Sequence, residues 1–383
     1  MPPSHPLLTR RSLVKGAASL AAAALLPAPA VLAQSRSAGN RSLMVAQVVD
    51  YSLAQQDVSK DFLIGSRAAW QDVNSRGGVR GRRIEHLALE TDGTPASVQK
   101  ALASIRDNPA CVVLSGSVGD QMASEVVRQL QKDGIGLAHA APWLQNSSQD
   151  IDAQTFPIFA ARQEQIAHAL KTLSVMGLQE LGAVYATPQD HTAYHGEVER
   201  IAGGMKLKLQ AFRGADNLRA LGQKLTPGTP AVLLFVGGTP ELAEFTQGLE
   251  KQSRQRYIVA LADVNLQTML QMGAARNTPV IATQPVPMVN ASLPVVRAYR
   301  ETLSRLFDEP PTSLSLAGYI AARYTMDVLG EVDATPSRQN VLAAFQRRSK
   351  VDIGGFMVRF DPQRRSGTYV TQSMMTVDGR LIG

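Results

Sequence analysis

The chain has 383 residues, 44% of them hydrophobic, which suffices for about two domains with cores of their own. Its 39 Lys and Arg against 32 Asp and Glu give a formal charge of +7, but the basic clusters Arg80/Arg82/Arg83 and Arg347/Arg348/Lys350 have no interleaved aromatics and match no nucleic-acid motif, so they read as solvated surface charge. A single cysteine, Cys111, excludes an intrachain disulfide and, sitting in an apolar run, reads as a core thiol.

Residues 1–33 are expected to lie outside the fold. Thr9-Arg10-Arg11-Ser12-Leu13-Val14-Lys15 carries paired arginines and a following lysine. The Ala/Leu-rich stretch from Gly16 to Leu26 that comes next is too short to span a bilayer. This is the pattern of a twin-arginine export signal, with Val31-Leu32-Ala33 before the cleavage point and Gln34 as the first mature residue. The alternative is a disordered basic tail. Removing the segment leaves 350 residues with formal charge +4, and no later stretch is long and apolar enough to cross a membrane. The expected location is the periplasm, reached in the folded state.

From Ser42 strands and helices alternate. Leu43–Val49 reads as a strand, Lys60–Asn74 as a helix, Arg83–Leu89 as a strand, Pro95–Arg106 as a helix, Ala110–Leu114 as a strand, Gln121–Lys132 as a helix and Ile135–Ala138 as a strand. After Gln154-Thr155-Phe156-Pro157 the pattern restarts. Helix Gln163–Met176, strand Gly182–Tyr185, a helix around Glu197, strand Leu207–Phe212, helix Leu218–Leu225, strand Ala231–Val236, helix Pro240–Gln252 and strand Tyr257–Leu261 make a second set. A strand-like run at Pro279–Gln284 precedes three helical patterns, Leu293–Leu306, Ser315–Leu329 and Pro336–Arg348. Two β-like stretches, Phe356–Phe360 and Tyr369–Val377, end the chain, with turns at Asp361-Pro362 and Asp378-Gly379. Strands alternating with helices of this length imply parallel sheets with right-handed crossovers, here two α/β lobes of Rossmann-like type.

Within the first set, Cys111-Val112-Val113-Leu114-Ser115-Gly116-Ser117-Val118-Gly119 is a buried strand running into a small-residue loop before an amphipathic helix. Free N–H groups and the helix dipole at such a turn suit a carboxylate or other anion, and sites in open α/β sheets lie beyond the carboxyl ends of strands.

Several further stretches, taken in order, resemble the type I periplasmic binding proteins. They are Asn74-Ser75-Arg76-Gly77-Gly78-Val79-Arg80-Gly81-Arg82, Thr91-Asp92 with Pro95, Leu114-Ser115-Gly116-Ser117, Gly237-Gly238-Thr239-Pro240-Glu241, Gly318-Tyr319-Ile320-Ala321-Ala322 and Gly354-Gly355-Phe356. The resemblance is to the leucine/isoleucine/valine-binding branch, the solute receptors of ABC importers, and runs from about Ser42 to Gly383. It implies two lobes joined by three hinge crossovers, expected near Phe156–Ala160, Ala282–Pro287 and Gly354–Met357. Residues 42–157 and 286–354 would form lobe 1, and residues 158–285 and 355–383 lobe 2. The ligand would lie between them, a small molecule such as an amino acid or related carboxylate, destined for an inner-membrane permease. The receptor would be a monomer without cofactor, metal or catalytic role.

The resemblance also implies site residues. Ser117 matches a position that holds the ligand's carboxylate, and Ala141 and Trp143 match the next lobe 1 loop. A threonine is common where Trp143 stands, so the departure points away from an ordinary aliphatic amino acid and toward an aromatic or flatter one. Tyr194 matches a tyrosine that closes over the ligand, Thr239 a lobe 2 loop position, and Asp263 the acidic group that binds an ammonium. Asp50 and Tyr51 fall in the first loop. Structural roles compete: Ser117 and Asp263 as helix caps, Trp143 as packing between helices, and Trp70 as core.

Two other chemistries have partial signatures. Ser115-Gly116-Ser117-Val118-Gly119 falls one glycine short of a nucleophile elbow and lacks a late histidine, which speaks against a serine hydrolase. His191 and His195, spaced i, i+4 near Glu197, lack the H-E-x-x-H of a zinc site. A receptor that signals to a sensor rather than a permease remains the alternative among binding proteins.

Overall fold

The computed structural model describes residues 42–145, 152–175, 177–214, 217–274, 277–348, 350–359, 367–376 and 381–382. The expected export signal and the turns at Asp361-Pro362 and Asp378-Gly379 lie outside them.

Strands β1 (Leu43–Asp50), β2 (Ile84–Thr91), β3 (Cys111–Ser115), β4 (Ala138–Ala140) and β5 (Thr155–Phe156) form a wholly parallel sheet in the order β2-β1-β3-β4-β5. Helices α1 (Gln56–Ser75), α2 (Pro95–Arg106) and α3 (Asp120–Lys132) make its crossovers. Local sequence sets their starts. Thr94 caps α2 by accepting from the Ser97 amide, and Pro95 occupies the first turn, where its missing N–H costs nothing.

A second sheet follows helix α4 (Arg162–Val175). Strand β6 (Glu180–Tyr185), helix α5 (Pro188–Gly204), strand β7 (Lys208–Arg213), helix α6 (Leu218–Lys224), strand β8 (Val232–Val236), helix α7 (Thr239–Leu249), strand β9 (Tyr257–Ala260), helix α8 (Leu266–Gln271) and strand β10 (Val280–Gln284) succeed one another. The chain then returns to the first sheet with α9 (Pro294–Leu306), α10 (Ser313–Gly330), α11 (Arg338–Gln346) and the hairpin β11 (Lys350–Ile353)–β12 (Phe356–Arg359). Strands β13 (Thr371–Met375) and β14 (Leu381–Ile382) close the second sheet as an antiparallel edge, giving the order β14-β13-β10-β9-β8-β6-β7.

Period-2 alternation divides each lobe into two cores, because successive side chains of a strand face opposite ways. Leu233 and Phe235 of β8 belong to one cluster, with Leu242, Phe245 and Ile258. Leu234 and Val236 of the same strand belong to the other, with Tyr185, Tyr194 and Val259. In the first lobe Val45 and Val49 face α1 and α10, whereas Ala46 and Val48 face α2 and α3. Helix α10 is buried over nearly its whole length because it is apolar all round. Its approach to α1 is set by two glycines. A Cβ on Gly65 would stand 1.7 Å from the Ser315 carbonyl oxygen, and one on Gly318 1.9 Å from that of Phe62.

Several expectations shift. Ile135 and Leu137 are buried but precede the pairing, which begins with Ala138 opposite Val113, so the fourth strand is Ala138–Ala140 rather than Ile135–Ala138. The two-residue β5, helix α8 and strand β11 carry too little periodicity to stand out in the sequence. The third crossover expected at Gly354–Met357 lies later. Phe356 and Val358 are buried in the first lobe's core, and the Val295 amide bonds the Gly354 carbonyl at 3.0 Å, so the chain crosses back only after β12.

Candidate functional site

The carboxyl ends of the strands of both sheets open on one cavity of about 750 Å³, the place where open α/β sheets put their ligands. From the first lobe Asp50 comes off the end of β1, Asp92 and Gly93 off β2, and Asp120 and Gln121 from the start of α3. From the second come Arg162 at the start of α4, Asp190 and Tyr194 on α5, Glu241 on α7, and Asp263 in the loop after β9.

Arg162 organises this set. Its Nε donates to Asp263 Oδ2 at 2.7 Å and its Nη1 to Asp120 Oδ2 at 3.1 Å. Nη1 also reaches the Tyr194 hydroxyl, which in turn donates to Asp120 Oδ2 at 3.3 Å. The guanidinium carbon lies 4.6 Å from the centroid of the Tyr194 ring. Arg162, Asp120 and Asp263 are all buried. Burial alone would lower the arginine's pKa, but Asp263 and Asp120 raise it well above its ordinary value, so the guanidinium stays charged. Burial raises the pKa of Asp120 despite the neighbouring arginine, and raises that of Tyr194. Arg162, Asp263 and Tyr194 belong to the second lobe and Asp120 to the first, so this network spans the cleft.

Two more bonds cross it. The Thr239 hydroxyl donates to Asp57 Oδ2 at 2.6 Å while accepting from the Asn265 amide, and Asn265 Nδ2 donates to Asp61 Oδ2 at 3.0 Å. Asp57 and Asp61 sit one turn apart on α1, and burial raises both their pKa values. Raised folded-state values mean that ionising these groups at neutral pH costs stability, and that the cost lessens as pH falls toward the ordinary carboxylate range.

Of the residues expected at the site, Tyr194 and Asp263 line the cavity, as does Asp50. Thr239 makes the interlobe bond to Asp57 but does not line it. Tyr51, 38% exposed, lines a second cavity of about 420 Å³ with Asp57, Lys60 and Asp61. Ser117, Ala141 and Trp143 are fully buried and line neither. They do meet one another, for the Trp143 amide donates to the Ser117 carbonyl at 2.7 Å. Ala141 holds a left-handed φ of 48° with its amide on the Phe156 carbonyl. The indole of Trp143, 1% exposed, packs edge-on to Phe62 and tilted against Phe159 at centroid distances of 5.7 and 5.3 Å, the packing role rather than a cleft wall.

Sequence reasoning missed Asp120, Arg162, Asp190 and Glu241. Arg162 left a trace: a lone cation directly after the apolar Ile158-Phe159-Ala160-Ala161, where a charge enters only with partners. The other chemistries find no footing. Ser117 Oγ is buried without a hydrogen-bond partner among the described residues, unlike an accessible, histidine-linked nucleophile. His191 and His195 stack at 4.5 Å, but His191 Nε2 accepts from Arg213, and His195 Nδ1 bonds the Tyr185 hydroxyl.

A family model described as periplasmic binding protein matches residues 43–378. No curated protein is significantly similar to the chain in sequence. Among solved structures, an extracellular ligand-binding receptor from Verminephrobacter eiseniae superposes with a TM-score of 0.81 at 18% identity, over 90% of this chain and 100% of that one. A possible leucine/isoleucine/valine-binding protein from Rhodopirellula baltica gives 0.77 at 18% identity, over 90% and 96%. A fatty acid ABC transporter substrate-binding protein from Thermomonospora curvata gives 0.75 at 16% identity, over 89% and 91%. These likenesses establish the fold; their different named ligands leave the contents of the cleft to the residues that line it.

Replacing Arg162 by alanine would leave Asp120 and Asp263 buried without their cation. Breaking a buried pair in this way costs about 3–5 kcal/mol. Urea unfolding of Arg162→Ala is expected to show a loss of that order, and a loss below about 1 kcal/mol, the value of an exposed pair, would show that the network does not hold the lobes.

Proposed function

The chain belongs to the periplasmic binding protein family, and from that premise we propose that it is an exported, non-catalytic solute receptor. It takes a small molecule, an amino acid or a related compound, between its two lobes and hands it to an ABC permease in the inner membrane. The observation that carries this reading is the cavity of about 750 Å³ whose walls come from both lobes. Walls from both lobes let such a cavity close on a solute, and three chain crossings between the lobes allow a hinge rotation with little change inside either. Residues 42–157 and 286–359 move as one body in this reading. Residues 162–285 and the segment from Thr371 form the other, with Ile158 and Phe159 at the first crossing packed in the first lobe's core.

Family membership implies a place outside the cytoplasm, and Arg10 and Arg11 supply the proposed route. Changing both to lysine is expected to leave precursor in the cytoplasm; normal processing of that variant would refute the twin-arginine route. Closure on a solute is tested by small-angle scattering of the mature protein during a screen of amino acids, amines and aromatic acids. A solute that raises the melting temperature is expected to lower the radius of gyration as well, whereas an unchanged radius at saturation would contradict closure.

A further inference from the structure

The cavity between the lobes is acidic beyond what its own cations offset. Asp50, Asp92, Asp120, Asp190, Glu241 and Asp263 line it, against Arg128 and Arg162. Arg162 is committed to Asp120 and Asp263, a set that keeps one negative charge when both carboxylates are ionised. Arg128 is tied to Glu125, outside the lining. Among the described residues the other four lining carboxylates form no ion pair. Asp190 is occupied with neutral donors, the amide and hydroxyl of Thr187, in a capping box at the start of α5. Asp50 and Asp92 accept from the amides of Ser52 and Thr94.

Among the lining residues, Asp263 Oδ1, Glu241 Oε2 and Gln55 Oε1 are buried without a hydrogen-bond partner among the described residues. Asp263 is 3% exposed, its Oδ2 taken by Arg162, and its Oδ1 is buried with no hydrogen bond among the described residues. A buried carboxylate oxygen with nothing to accept from is costly, and a donor bearing positive charge is what offsets it best. The surrounding charges act the same way. Burial and then the charges of Asp190 and Asp57 raise the pKa of Glu241, and burial with Asp263 nearby does so at Asp190. These groups repel one another, and a cation among them relieves the repulsion.

We propose that the solute is a cation, a small amine or guanidine of net positive charge, whose N–H groups donate to Asp263 Oδ1 between Asp190 and Glu241. The inference rests on the receptor reading and narrows it to a basic amino acid or a diamine. A solute with only a carboxylate would meet six carboxylates and two guanidiniums, Arg162 already bonded to two of those carboxylates and Arg128 paired with Glu125. The hydroxyl of Ser117, the expected carboxylate partner, does not line the cavity.

The test is calorimetric titration of the mature protein with 1,4-diaminobutane, L-arginine, L-lysine, L-leucine, L-glutamate and benzoate. At least one of the three cations should bind, and the other three should not. Binding should weaken when sodium chloride is raised from about 0.05 to about 0.5 M, because salt screens the partly exposed carboxylates. Glu241→Gln and Asp190→Asn, checked for unchanged melting temperature, should each weaken the cation about tenfold or more. Asp190→Asn keeps an acceptor for Thr187, so a variant that folds is at hand even if the other does not. Binding of leucine, glutamate or benzoate in place of the cations, with closure seen by scattering, would overturn the inference and leave the receptor reading standing. Cation binding unaffected by either variant would overturn it too, as would failure of all six probes. The receptor reading itself falls only if the wider screen finds no solute that compacts the protein.

Discussion

The structure turns on one buried guanidinium. Arg162 begins α4 directly after the first crossing between the lobes, behind the buried run Ile158-Phe159-Ala160-Ala161. It holds Asp263 and Tyr194 within its own lobe and Asp120 across the cleft. If the lobes rotate apart, the bonds to Asp263 and Tyr194 travel with α4, whereas the bond to Asp120 must stretch. The contact to Asp120 is therefore one that a hinge motion has to give up. Because desolvation offsets much of the attraction in a buried ion pair, such a contact holds a defined geometry without making closure irreversible.

The outer bonds from Thr239 to Asp57 and from Asn265 to Asp61 work at smaller cost and in the same direction. Both acceptors are carboxylates whose burial raises their pKa. Acidic groups thus stand on both sides of the cleft, held by neutral donors or by one arginine. A fold that packs this much like charge around a cavity spends stability on it, and a function at that cavity accounts for the expense.

The fold was legible because its signals are local and repeated. Alternating apolar strands, Pro95 at a helix start and the glycine pair ending α1 each specify an element within a few residues. The two-residue β5 and the six-residue helix α8 are too short to show a repeat and could not be read. The site was legible in part. Tyr194 and Asp263, which line the cavity, were placed by the resemblance. Ser117 was placed by its strand–loop–helix turn as well as by the resemblance, Trp143 by the resemblance, and the indole, standing where the related pattern has a small hydroxyl, fills the space against Phe62 and Phe159. Asp120 and Arg162 meet only through the tertiary structure, 42 residues apart in sequence, and nothing local marks them as partners.

The central claim is that a solute binds between the two lobes and is touched by both. Amide hydrogen exchange of the mature protein, with and without a solute that stabilises it, tests this most directly. Closure over the cavity predicts slower exchange in residues 50–55 and 119–122 of the first lobe together with 188–194 and 237–242 of the second, all on loops or helix starts at its walls. Protection confined to one lobe, or appearing only on surfaces away from these segments, would contradict the account.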